Sequence, residues 1–138
     1  MDQRLSFVSL AVADLDVSRR FYLDGLGWQS DMDVPGEVVM IQVGQHVVLS
    51  LWERTHFEDE VGPIAAYDGV APFTLAHNVP EKADVDAVLE TARAAGAEDL
   101  GAASEREWGG YTGYFADPDG YRWEVAYNPG EIGRKVLP

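Results

Sequence analysis

The stretch YTGYFADPDGYRWEVAY, residues 111–127, predicts two antiparallel strands joined by a tight turn. Aromatic and apolar side chains dominate 111–116 and 121–127, which is typical of β-strands. Between them, Asp117-Pro118-Asp119-Gly120 supplies the residue types that set the backbone angles of a turn. This hairpin closes a segment that opens with a further predicted strand, PFTLAHNV at 72–79.

A helix is expected to follow that strand, opened by Pro80-Glu81 and ended by Gly96. Its apolar residues recur at spacings of three and four, which places them on one helical face. They are Val85, Val88, Leu89, Ala92 and Ala95. Residues 98–108 contain a weaker strand, so the second half of the chain predicts the order β-α-β-β-β.

The first half repeats this order. LSFVSLAVA at 5–13 predicts a strand, and LDVSRRFYLDGLG at 15–27 predicts a helix. Three strands are expected afterwards, at 28–33, 37–43 and 46–52. Two similar halves indicate an internal duplication. The predicted fold class is therefore α+β, built from two βαβββ modules.

Residues 53–71, ERTHFEDEVGPIAAYDGVA, have no clear period and predict a linker or mobile loop. We expect a single domain over 1–138. Its predicted parts are module 1 at about 1–55, a loop at 56–71, module 2 at about 72–130 and a tail at 131–138.

The charge composition excludes several kinds of partner. Ten Lys and Arg face 24 Asp and Glu, which gives the 138-residue chain a formal net charge of −14. No basic stripe is present for nucleic acid or an anionic membrane surface. No apolar run is long enough to cross a bilayer, and the start MDQRLSFVSLAVAD lacks the order of a signal peptide. Cysteine is absent, which excludes disulfides and thiol catalysis and fits the cytoplasmic location that we expect.

Three stretches together carry a resemblance to a known family: 7–28, 75–97 and 108–129. The chain resembles the vicinal oxygen chelate superfamily, which contains glyoxalase I, extradiol dioxygenases and bleomycin-resistance proteins. The patterns VADLDVSRRFY and GYFADPDGYRWEV are specific as a pair. The resemblance implies that two βαβββ modules form a cupped mixed sheet, that the cup holds the active site, and that two chains form a homodimer.

The resemblance also implies four metal-ligand positions, which the metal-dependent members fill. Residue by residue, these positions fall on Phe7, Ser50, Thr74 and Glu124. Phe has no donor atom, and Ser and Thr hydroxyls are poor ligands beside His or carboxylate. We therefore predict no metal and no cofactor. The alternative is a divalent metal bound through Glu124 and His77, although His77 is expected on the opposite strand face from Thr74.

Strand alternation and the resemblance together predict the lining of the cup. Small residues at its base leave volume, and aromatic residues at its rim suit a planar ligand. Arg122 is expected to pair with Glu124, two residues away on the same strand face. An alternative is that Phe7 and Trp52 fill the cup as core. The predicted ligand-binding residues are Phe7, Ser9, Ser50, Trp52, Thr74, Trp108, Tyr111, Arg122 and Glu124.

Three functions remain open on the sequence alone. The first is a binding protein for a small aromatic or drug-like ligand, which the missing metal ligands favour. The second is a metal-dependent lyase or dioxygenase of the glyoxalase type. The third is a metal-free enzyme in which Glu124, the only candidate catalytic residue, acts as general base.

Overall fold

Two mixed β-sheets organise the chain in the computed structural model, which describes residues 1–65 and 69–138. The chain divides into two units, Met1–Asp68 and Gly69–Pro138, and each unit contains one of the sheets. This architecture confirms the predicted α+β class.

The sheet of the first unit has the strand order β1-β4-β3-β2. β1 pairs with β4 in parallel, and the remaining pairs are antiparallel. The elements of this unit are β1 (Phe7–Val12), α1 (Leu15–Arg19, continued by a π-helical turn over Arg20–Gly25), β2 (Met32–Val34), β3 (Val38–Gly44), β4 (Val47–Glu53) and α2 (Arg54–Val61).

α1 covers one face of the first sheet and begins at a carboxylate cap. Asp14 Oδ1 accepts hydrogen bonds from the backbone N–H groups of Asp16 and Val17, at 2.9 and 3.1 Å. In the π-helical turn that follows, Phe21 and Tyr22 are both buried, and their rings meet edge to face at 5.0 Å. Alternate strand residues complete this core: Leu10, Val12, Val39, Ile41, Leu49 and Leu51.

The sheet of the second unit has the strand order β5-β9-β8-β6, and β7 also pairs with β8. β5 pairs with β9 in parallel, whereas the other pairs are antiparallel. The elements of this unit are β5 (Leu75–Val79), α3 (Lys82–Ala94), β6 (Glu98–Asp99), β7 (Ser104–Glu105), β8 (Tyr111–Ala116), β9 (Arg122–Tyr127) and α4 (Glu131–Lys135).

α3 packs closely on β8 because β8 has a glycine under the helix. A Cβ atom added to Gly113 would overlap Leu89 Cδ1 and would lie 3.1 Å from the Cβ of Ala103. Leu89 is buried here together with Val85 and Ala92, as the apolar spacing of the predicted helix requires.

The structure differs from the sequence-based prediction at three places. The expected linker at 53–71 contains the helix α2, and the expected tail contains α4. The weak strand at 98–108 is two strands of two residues each, β6 and β7. Residues 66–68 of the predicted loop lie outside the described residues. Within residues 1–65 and 69–138, no helix has the length and apolar character needed to span a membrane.

Candidate functional site

In the first unit, four of the predicted ligand-binding residues share the sheet face opposite α1. The parallel register places Ser9 beside Ser50 and Ala11 beside Trp52, with Phe7 at the end of β1 on the same face. Phe7 is 50% exposed, so it does not fill a core. Trp52 is half-buried, and its ring meets Phe57 of α2 edge to face at 5.7 Å.

In the second unit, Glu124 lies on the sheet face opposite α3. Its register neighbours are Ala76 on β5 and Tyr114 on β8. The hydroxyl of Tyr114 donates a hydrogen bond to Glu124 Oε1 at 2.7 Å. This bond, together with burial and the negative charge of Glu124, raises the pKa of Tyr114. The bond fixes the direction of the carboxylate on this face.

The expected pair of Arg122 and Glu124 is wrong. Arg122 instead forms an ion pair with Glu98 of β6, at 3.5 Å. The register explains the difference, because Arg122 and Glu98 both pair with Ala116 and flank it at the sheet edge. Glu124 has the hydroxyl of Tyr114 as its cross-strand partner. The sequence separation of two placed Arg122 and Glu124 on one face but did not reveal these closer partners.

Arg106 joins Tyr114 on the same face. Its Nε donates a hydrogen bond to the Thr112 hydroxyl at 2.6 Å, and its guanidinium carbon lies 6.0 Å from the centre of the Tyr114 ring. Thr112 pairs with Ala126, two residues from Glu124, which places it on the face opposite α3. Arg106, Thr112, Tyr114 and Glu124 thus form one group, the Glu124 cluster.

Trp108 lies at the end of this face. A Cβ atom on Gly110 would overlap the six-membered ring of Trp108, so the ring lies against the backbone at this glycine. Gly110 precedes Thr112 by two residues, which gives both positions the same facing direction. Trp108 is 55% exposed and offers an open aromatic surface.

Two other predicted residues are placed elsewhere. Tyr111 lies on the α3 side of β8, where its hydroxyl donates to Asp86 of α3 at 3.1 Å. Thr74 is exposed and precedes β5 by one residue. Neither residue contacts the Glu124 cluster through a hydrogen bond in the part of the chain that the structure describes.

His77 lies on the face opposite Glu124. It pairs with Val125, whereas its neighbour Ala76 pairs with Glu124. Protein atoms around the imidazole partly desolvate it, and this burial lowers the pKa of His77. His77 and Glu124 therefore project from opposite sides of one sheet, an arrangement unsuited to binding the same ion.

The donor chemistry of the four family positions does not fit a divalent metal. Glu124 supplies one carboxylate, Ser50 and Thr74 supply neutral hydroxyls, and Phe7 supplies nothing. Across residues 1–65 and 69–138, no three His, Asp or Glu side chains are grouped so that they could hold a metal ion.

Sequence reasoning did not identify Arg106, Thr112 or Tyr114. A usable signal exists for Tyr114, because the turn at 117–120 fixes the register that places it opposite Glu124. The signal for Arg106 is weaker. A second hairpin turn over residues 106–110 folds Arg106 back, and the backbone N–H of Arg106 donates to the Gly110 carbonyl at 2.8 Å.

Comparison with known proteins identifies the family. Residues 4–125 match the model of the Glyoxalase/Bleomycin resistance protein/Dioxygenase superfamily. The chain belongs to this superfamily. The match covers most of the chain and includes both units, and it confirms the resemblance found in the sequence.

Several solved structures resemble this chain along most of its length. A glyoxalase-related enzyme from Fulvimarina pelagi is 36% identical with a TM-score of 0.83, over 92% of this chain and 89% of that one. A hypothetical protein from S. aureus is 26% identical with a TM-score of 0.77, over 93% and 95%. Lactoylglutathione lyase from Agrobacterium tumefaciens shares the fold at 22% identity and a TM-score of 0.70, over 93% and 96%. No curated protein matches the chain.

Proposed function

We propose that this superfamily member binds a small aromatic or drug-like molecule on its sheet faces, without the metal that other members use. One observation carries the proposal. Tyr114 fixes Glu124 through Oε1, and Oε2 has no hydrogen-bond partner among the described residues. A carboxylate oriented in this way can accept a hydrogen bond from a ligand.

The aromatic character of the ligand follows from the exposed rings. Trp108 lies at the end of the face that carries Glu124, and more than half of its surface is exposed. In the first unit, the face opposite α1 presents the exposed Phe7, the half-buried Trp52 and Ser9, whereas Ser50 on this face is buried. Exposed flat rings beside a few polar groups are the usual lining of a site for a planar molecule.

Replacing Glu124 with Gln tests the proposal, because Gln keeps the shape of the side chain and removes its charge. The wild-type protein is expected to show a higher Tm in the presence of bleomycin or another member of a panel of aromatic antibiotics. The variant should lose about 1–3 kcal/mol of binding free energy for that compound. Titration calorimetry with Glu60→Gln as control, an exposed glutamate of α2, separates a site effect from a change in net charge.

Elemental analysis of the same proteins tests the metal-free part of the proposal. Both the wild-type protein and the Glu124 variant are expected to contain well under one Zn, Ni, Mn or Fe per chain, since one carboxylate does not make a tight site. About one such metal per wild-type chain, lost in Glu124→Gln, would overturn the proposal and favour a metal-dependent enzyme.

We also propose that the protein is a homodimer. In each unit, helix α1 or α3 covers one sheet face, and the opposite face carries exposed apolar residues such as Phe7 and Trp108. Multi-angle light scattering at micromolar concentration is expected to give twice the chain mass of 15.2 kDa. A mass of one chain under these conditions would contradict the proposal.

A further inference from the structure

Arg106 differs from the other basic residues of this chain. Four of the ten Lys and Arg side chains form ion pairs with carboxylates, and five more are exposed. Arg106 is half-buried, and no ion pair to it is found in the described residues. Among the described residues no buried side-chain polar atom lacks a hydrogen-bond partner, so the unpartnered end of this guanidinium reaches solvent, where it can meet an external group. This arrangement suggests that an external anion completes the site.

The hydrogen bonds of Arg106 leave a specific part of the guanidinium available. Nε is used by Thr112, whereas the two terminal nitrogens have no hydrogen-bond partner within residues 1–65 and 69–138. Two parallel N–H groups on a planar guanidinium match the two oxygens of a carboxylate. Thr112 and the ring of Tyr114 hold the Arg106 guanidinium in place, so this group is ordered before a ligand binds.

The second polar group of the site is Glu124, which prefers a hydrogen-bond donor where Arg106 prefers an anionic acceptor. Glu124 Oε2 can only accept a hydrogen bond while the carboxylate is ionised, so it selects a ligand group that donates one. Tyr114 connects the two points, since its hydroxyl contacts Glu124 and its ring lies beneath Arg106. The exposed ring of Trp108 stands at the end of the same face.

We propose that the ligand of this site is a small aromatic hydroxy-acid. Its carboxylate pairs with Arg106, its hydroxyl donates to Glu124, and its ring lies on the face beside Trp108. This inference rests on the proposed ligand-binding function and adds the substrate class. The site uses Arg106 as its specificity-determining cation, while Arg122 remains engaged with Glu98.

Titration calorimetry with three compounds tests this inference on the wild-type protein. 4-Hydroxybenzoate carries both groups, phenol lacks the carboxylate, and benzoate lacks the hydroxyl. We expect 4-hydroxybenzoate to bind at least about tenfold more tightly than either fragment, because each lacks one charge-assisted hydrogen-bonding group. Equal affinity of phenol and 4-hydroxybenzoate would overturn the assignment of Arg106 to a carboxylate.

The variant Arg106→Gln gives the second readout. It should weaken binding of both acids by about ten- to hundredfold and leave phenol affinity within about threefold. Arg4→Gln removes the same charge from an exposed position and should change none of the three affinities. Equal losses in the two variants would contradict the inference. Arg106→Lys keeps the charge without the planar fork and should retain part of the preference for acids.

The outcomes separate this inference from the function on which it rests. If an aromatic antibiotic or phenol binds and the acids show no advantage, the hydroxy-acid assignment fails and the ligand-binding function stands. If neither the antibiotic panel nor any of the three compounds binds, the proposed function fails and the inference fails with it. Thermal melts of each variant show whether a loss of affinity reflects a loss of folding.

Discussion

Replacing Phe21 with Ala is expected to lower the free energy of unfolding by about 3–5 kcal/mol. The Phe21 side chain is 2% exposed and lies in the π-helical turn that continues α1, edge to face with Tyr22. Because the ring is enclosed by protein, water cannot readily fill the space that it leaves. The variant would therefore have a cavity in the core of the first unit. A loss of this size is a large share of the stability of an ordinary domain.

Urea denaturation followed by circular dichroism measures this effect, and Phe7→Ala is the matched control. The chemical change is the same, but Phe7 is 50% exposed on the opposite face of the sheet. We expect its substitution to cost no more than about 1 kcal/mol. If both variants lost similar stability, Phe7 would have to be part of a packed core, as the sequence alone allowed.

Replacing Gly113 with Ala is expected to lower the free energy of unfolding by about 1–3 kcal/mol. Without steric conflict, Ala in a strand interior would be favoured over Gly by about 0.5–1 kcal/mol. The sign of the change in unfolding free energy therefore shows whether steric overlap outweighs this advantage. The added Cβ would overlap Leu89 Cδ1 and crowd Ala103. We expect overlap to outweigh the backbone advantage because Leu89 is buried and cannot swing into solvent.

A double-mutant cycle tests whether Leu89 is the cause. Leu89→Ala alone should cost about 2–5 kcal/mol, and the double variant should lose less than the two single losses combined, because the smaller residue makes room for the new methyl group. Gly44→Ala is the control, since its nearest neighbour, Val47 Cβ, would be 3.7 Å away. Strict additivity of the two losses would show that α3 does not press on β8 at this position.

The strands were predictable because their side chains alternate between two environments. Leu49 and Leu51 face the core while Ser50 faces the other side, and the same alternation holds along β9 around Glu124. Turn residues such as Asp117-Pro118-Asp119-Gly120 then fixed where each strand ends. Side-chain alternation and turn residues are local signals, so both can be recognised in a single sequence without knowledge of the tertiary structure.

α2 was not predictable from periodicity, because the helix has hardly any apolar stripe. It forms because Glu53 caps it, accepting hydrogen bonds from the backbone N–H groups of Thr55 and His56 at 2.8 and 3.2 Å. Phe57 provides the main aromatic contact, on Trp52. The aromatic contact is tertiary, so a local apolar pattern does not reveal it.

The candidate site was predictable only in part, for a related reason. Glu124 was identified by its position in a strand that resembles the superfamily, but its partner depended on the register of the neighbouring strand. Tyr114 takes the place that Arg122 was expected to occupy. Arg106 comes to the site through the hairpin between β7 and β8, and β7 is only two residues long. Contacts between strands, rather than within one strand, decide these pairs.

The parallel pairing of the first and last strands of each unit has a consequence for synthesis of the chain. Phe7 pairs with Val48, and Leu75 pairs with Trp123, so one edge of each sheet is formed by two segments that are far apart in sequence. Neither sheet can close until its last strand has left the ribosome, and loop closure of this kind slows folding. The first sheet needs nothing beyond Glu53, so it can close while the second unit is still being translated.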